Sequence, residues 1–182
     1  FGYGRQPRLY VWSSALEYQL FAANREVTPE SIRRVDTANK QQESKGEGGH
    51  GHEITFDRKL YGSYPLAQIS ANQFQWRQEN PPLQARAMVL ADKTLFVAGP
   101  PDVVDEEEVF AKPFEDRMIS KAAQQVAALA GDQGALLHAI SAEDGRKLHE
   151  LQLDGCPVFD GLAAAEGKLF MSMMDGKVVC FE

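Results

Sequence analysis

Residues 134–182 read GALLHAISAEDGRKLHELQLDGCPVFDGLAAAEGKLFMSMMDGKVVCFE. Short apolar runs alternate here with acidic-glycine turns: Ala135 to Ile140, then Glu143-Asp144-Gly145, then Arg146 to Leu153. After a Cys156-Pro157 loop come Leu162 to Ala165, Glu166-Gly167, Lys168 to Met174, Asp175-Gly176 and Lys177 to Phe181. Each run has strand length, about five to eight residues, and each turn offers a glycine where a tight hairpin needs positive φ. The stretch therefore predicts a β-meander.

Its strands differ in how they pattern. Lys177 to Phe181 is apolar on both faces, Val178 and Cys180 on one and Val179 and Phe181 on the other. Leu169, Met171 and Met173 share a face while Phe170 and Met174 take the opposite one. Strands apolar on both faces need a neighbouring sheet on each side. Arg146 to Leu153 instead alternates, with Leu151 and Leu153 opposed to Glu150 and Gln152, as an outer strand should. Doubly buried inner strands with a wetter outer strand suit β-propeller blades, which pack face to face around an axis.

The run Ala139 to His149, AISAEDGRKLH, resembles the repeat of the PQQ-like, quinoprotein-type β-propellers. That repeat is a strand ending in an Ala-x-Asp-like pattern, a Thr-Gly-Lys-like turn, then a strand led by Trp. The resemblance is strongest over residues 134–182 and returns over residues 74–99. Ser141 stands where the family prefers Asp, Asp144 where it prefers Thr, and His149 where it prefers the Trp that docks neighbouring blades. The resemblance implies an all-β fold of four-stranded antiparallel blades and an extracytoplasmic setting in a bacterium, periplasm or cell surface. A blade takes roughly 40–50 residues, so 182 residues with long insertions hold about two and a half. We expect the C-terminal part of an incomplete ring, with further blades upstream or in a companion chain, as against a trimmed domain complete in itself.

An internal repeat supports this reading. Ala87 to Ala98, AMVLADKTLFVA, aligns without gaps on Gly161 to Ser172, GLAAAEGKLFMS. Met88 falls on Leu162, Ala91 on Ala165, Asp92 on Glu166, Leu95 on Leu169 and Phe96 on Phe170. The offset is too long for one blade, and residues 100–133 account for the excess as an insertion between two strands. That insertion predicts one helix, opened by Pro113 and closed by Gly131. Its apolar stripe would be Phe114, Met118, Ala122, Val126 and Leu129, laid on the body of the fold or offered to a partner.

Ahead of the repeat, Leu16 to Ala23 reads as a strand, and Thr28-Pro29-Glu30 starts a helix of at most two turns. Residues 39–53, NKQQESKGEGGHGHE, contain no apolar side chain, and a flexible surface insertion is expected there. The net charge of −7 disfavours nucleic acid and anionic membrane surfaces as partners. No run approaches the roughly 20 apolar residues of a membrane span. Cys180 in an apolar strand and Cys156 in a loop read as two free thiols packed as small hydrophobes, with one disulfide the other possibility.

Few residues carry chemistry. His50 and His52 have the residue type and i, i+2 spacing of a metal chelate, but glycines around them supply no orienting partners. The run Asp102, Asp105, Glu106, Glu107 and Glu108 lacks the spacing of a dedicated Ca²⁺ loop and reads as a solvated lead into the helix. Asp160 precedes an inner strand, and propellers bind ligands where inner strands end. Asp160 and Arg86 are thus the candidate ligand-binding side chains, the alternative being that Asp160 caps its own turn. His138 and His149 lie on strands and read as packing or rim residues.

No nucleophile-base arrangement stands out, and no catalytic residue is assigned. The expected function is a non-catalytic scaffold or binding module for a protein or glycan, with no cofactor. The alternative is part of a quinoprotein oxidoreductase using PQQ and Ca²⁺. That chemistry needs a basic or amide-rich pocket for the quinone carboxylates, metal-binding carboxylates and an Asp base.

Overall fold

The computed structural model describes residues 19–43, 72–105, 108–109 and 112–182. They form mostly antiparallel β-sheet with two helices. Strands β1 (Gln19–Ala23) and β2 (Phe74–Glu79) make a first sheet. A second has the order β3 (Ala87–Ala91), β4 (Thr94–Gly99), β5 (Ala135–Ser141), β6 (Lys147–Leu153). A third runs β7 (Pro157–Ala165), β8 (Lys168–Met173), β9 (Val178–Phe181). The second sheet is the four-stranded antiparallel meander that the sequence predicts, and the third has three described strands. Helix α1 (Pro29–Glu43) joins β1 to β2, and α2 (Asp116–Ala130) joins β4 to β5.

One pairing register runs through all three sheets. Leu90 faces Leu95 and Val89 faces Phe96, as Ala164 faces Leu169 and Ala163 faces Phe170. The connecting turns match too, since Asp92 and Glu166 both stand at φ 51°. The repeat extends further than the sequence alignment does. Ala22 pairs with Trp76 as Ala139 pairs with His149, and the register slips immediately afterwards in both pairs, between Ala22 and Ala23 and between Ala139 and Ile140. A bulge kept at one place in two sheets marks β1–β2 as the counterpart of β5–β6.

The sheets stack face to face through two apolar layers. Leu20 and Trp76 of the first sheet meet Val97 and Ile140 of the second, with Leu83 between them. On its other face the second sheet turns Ala98, Ala135 and Leu137 onto Leu162, Leu169 and Met171 of the third. The two-residue period of the strands creates this division, because alternate side chains of β4 and β5 leave on opposite sides. Trp76 fastens the first sheet to the second. Its indole N–H donates to the Ala142 carbonyl at 2.8 Å, and its ring lies where a Cβ on Gly145 would come within 2.5 Å. Gly145 stands at φ 74°, so both backbone conformation and ring contact require glycine there.

Several expectations need correction. Helix α1 runs 15 residues, so Asn39 to Glu43 are helical and not part of a flexible insertion. Thr28 caps it, its hydroxyl accepting from the Ser31 N–H at 3.2 Å, and Lys40 to Glu43 are good helix formers. The fold is accordingly not all-β with a single inserted helix. Residues 44–53, and with them His50 and His52, lie outside the described residues. Helix α2 opens at Asp116 rather than Pro113, and closes as expected on Gly131 at φ 95°. Its buried face is Met118, Gln125 and Ala128, leaving Phe114, Val126 and Leu129 of the expected stripe exposed. The polar Gln125 sets that rotation: its amide accepts from the Val103 N–H at 2.8 Å and donates to the Pro101 carbonyl at 3.2 Å. Strand β9 is not doubly buried, since Val178 and Cys180 are exposed. The cysteines are both free thiols, but Cys156 is the buried one.

Candidate functional site

At one edge of the stacked second and third sheets, β3 lies beside β7. Asp160 and Arg86, 74 positions apart, come together there, the Asp160 N–H donating to the Arg86 carbonyl at 3.1 Å. The contact is through backbone. Among the described residues the two side chains form no ion pair with each other.

Arg86 is the centre of this end of the molecule. One terminal nitrogen, Nη2, donates to the Leu129 carbonyl at 2.7 Å, in the last turn of α2. The other, Nη1, lies 3.2 Å from Cys156 Sγ and 2.9 Å from Met174 Sδ. The guanidinium also sits 5.0 Å from the centre of the Phe159 ring, a cation–π distance. It thus joins four segments: the start of β3, the end of α2, the turn before β7 and the turn after β8. Burial pushes the Cys156 thiol up, against the opposing pull of Arg86. Burial thus favours the protonated thiol, which packs in the core between the sheets.

The strand carrying Phe159 is deformed to present it. Between the Pro157–Met173 and Leu162–Met171 pairs, β7 advances five positions while β8 advances two. The surplus residues bulge outward, and Asp160 takes φ 54° at the apex. Asp is one of the few non-glycine residues that tolerate this left-handed conformation. Gly161 behind it admits no side chain, because a Cβ would come within 2.9 Å of the Ser172 carbonyl. The result is a Phe159 side chain 77% exposed beside a cation.

Exposed apolar groups continue from there. Met174 and Leu129, both touching Arg86, are exposed, and Val126 and Ile119 extend the patch along α2. Acidic residues of the connecting segment are used structurally. Glu108 pairs with Lys121 at 2.9 Å, which holds its carboxyl below the usual range, and Asp102 accepts from Gln84 at 3.0 Å. Among the described residues no three His, Cys, Asp or Glu side chains gather as a metal site.

At the opposite end of the sheets an apolar cleft of about 560 Å³ opens between the second and third sheets. Phe96, Leu137, Leu151 and Leu169 floor it, and His149 stands at its side. His149 occupies the register position that Trp76 holds one sheet earlier, and it lines this cleft. His138 is buried on the other face, with Nε2 3.1 Å from Glu150 Oε2.

The sequence names Arg86 and Asp160 together, and the structure joins them through backbone rather than side chains. Phe159 stands beside Asp160 in the same bulged part of β7, while Leu129 and Met174 reach Arg86 only through the fold. No family model matches this chain, and no curated protein sequence matches it.

Proposed function

We propose that this chain is part of a β-propeller of the PQQ-like repeat type that acts as a non-catalytic, extracytoplasmic binding module for a protein partner. The observation that carries the reading is the Arg86–Phe159 end, where a bulge in β7 holds an aromatic side chain in solvent beside a cation. Aromatic and arginine side chains dominate the energetics of protein interfaces. Support for the propeller comes from the shared register, the matched bulge, and Trp76 docking on the next sheet's glycine turn. In such a ring β3 and β7 are inner strands, and Arg86 lies where they open to one end.

The quinoprotein reading is the one to test against. The protein would be titrated with PQQ and Ca²⁺, following the quinone absorption and dye reduction with alcohols. No saturable quinone binding is expected. Saturable binding with alcohol-dependent dye reduction would overturn the non-catalytic assignment.

A further inference from the structure

The Arg86 end also indicates the chemistry of its partner. Arg86 is surrounded by a carbonyl, two sulfur atoms and an aromatic face, and no carboxylate pairs with it among the described residues. Such surroundings are unusual in a chain with net charge −7, whose other described cations largely have acidic partners, such as Lys121, Lys147, Lys168 and Lys177. With Nη1 turned to the two sulfur atoms and one Nη2 hydrogen to the Leu129 carbonyl, Nε–H and the second Nη2 hydrogen have no partner among the described residues, and these two adjacent donors match a carboxylate. Around it, Phe159, Met174 and Leu129 are exposed and in direct contact with it. Val126 lies one turn back on α2 and Ile119 two turns further. From Ile119 to Leu129 the helix extends the patch by about 15 Å.

Resting on the binding-module reading, we infer that this surface docks a polypeptide segment in which an Asp or Glu adjoins large apolar side chains. The carboxylate takes the free donors of Arg86, and the apolar side chains lie against Phe159, Met174 and the Leu129–Val126 face of α2. Charge sets the register of the segment, and the apolar contacts supply most of the affinity.

The test is a selection of random linear peptides displayed against the immobilised protein, with affinities then measured by fluorescence polarisation. Enriched sequences should place Asp or Glu beside Phe, Leu, Ile or Met. Their affinity should fall about tenfold or more, equivalent to roughly 1.4 kcal/mol, with Arg86→Gln and with Phe159→Ser. It should be unchanged with Lys147→Gln at the far end of the sheets. Phe159→Ser keeps the test decisive should Arg86→Gln loosen α2, because Phe159 is mostly solvent-exposed. Enrichment without an acidic residue, or affinity indifferent to Phe159→Ser, would overturn the inference. So would dextran sulfate binding through Arg86 with no dependence on Phe159, which would mark a polyanion site. These outcomes leave the non-catalytic reading intact, since that reading falls with quinone-dependent turnover.

Discussion

Met171 and Phe170 are neighbours in sequence with different duties. Met171 is fully buried between the second and third sheets, while Phe170 is half-buried on the third sheet's outer face. Met171→Ala should cost about 2–5 kcal/mol in urea denaturation, and Phe170→Ala under about 2 kcal/mol. Equal losses would show that the third sheet is turned over. The sequence alignment places Phe96 and Phe170 at equivalent positions, and the register agrees; both are half-buried, so the deep core lies one residue on. His138 allows a second test. Burial pushes its imidazole below the ordinary range, with Glu150 pulling upward and Lys147 reinforcing the drop. The unfolded chain then takes up the proton first, so this contribution to stability is whole above about pH 6.5 and shrinks as pH falls toward the depressed folded value. His138→Asn should flatten that decline in stability measured between neutral and mildly acidic pH. An unchanged slope would place the titration elsewhere.

Among the elements, the strands were legible and the helices less so. Alternation and glycine turns fix β3 to β9 because a one-residue slip would reverse every face. Helix α1 was legible at its threonine-capped start but not in its length, since its stop depends on propensity within a polar stretch. Helix α2 was found, but its rotation was not. Gln125 turns inward because it satisfies two backbone groups of the segment after β4, a reason invisible to hydrophobic periodicity. Val126→Ser should therefore change stability by less than about 0.5 kcal/mol, against about 2–5 for Met118→Ala. The reverse order would restore the stripe read from sequence. Sheet-to-sheet docking rests on Trp76. Trp76→Ala should cost about 3–5 kcal/mol. Gly145→Ala should also destabilise, and by less when Trp76 is already Ala, because the indole is then no longer in the way. Strict additivity in that double-mutant cycle would mean the ring does not rest on the turn.

For the molecule as a whole, the repeat says what each face of a sheet is for. Carried over by the shared register, Phe96, Leu137 and Ala139 of the second sheet correspond to Phe170, Val178 and Cys180 of the third. Leu137 is 7% exposed because the third sheet covers it, whereas Val178 is 67% exposed. The outer face of the third sheet therefore has the residues of a covered face without a cover among the described residues. Sequence reading anticipated the apolar character of both faces of β9, and the structure shows which of them is filled. We propose that this outer face seats a further sheet, stacked as the third is on the second. The most direct measurement is the mass of the 182-residue chain by light scattering over a range of concentrations, alone and with Val178→Lys. Mass should rise with concentration for the native sequence, and the lysine should hold the chain closer to monomer. A native chain that stays monomeric at high concentration would contradict the stacking on which the account depends.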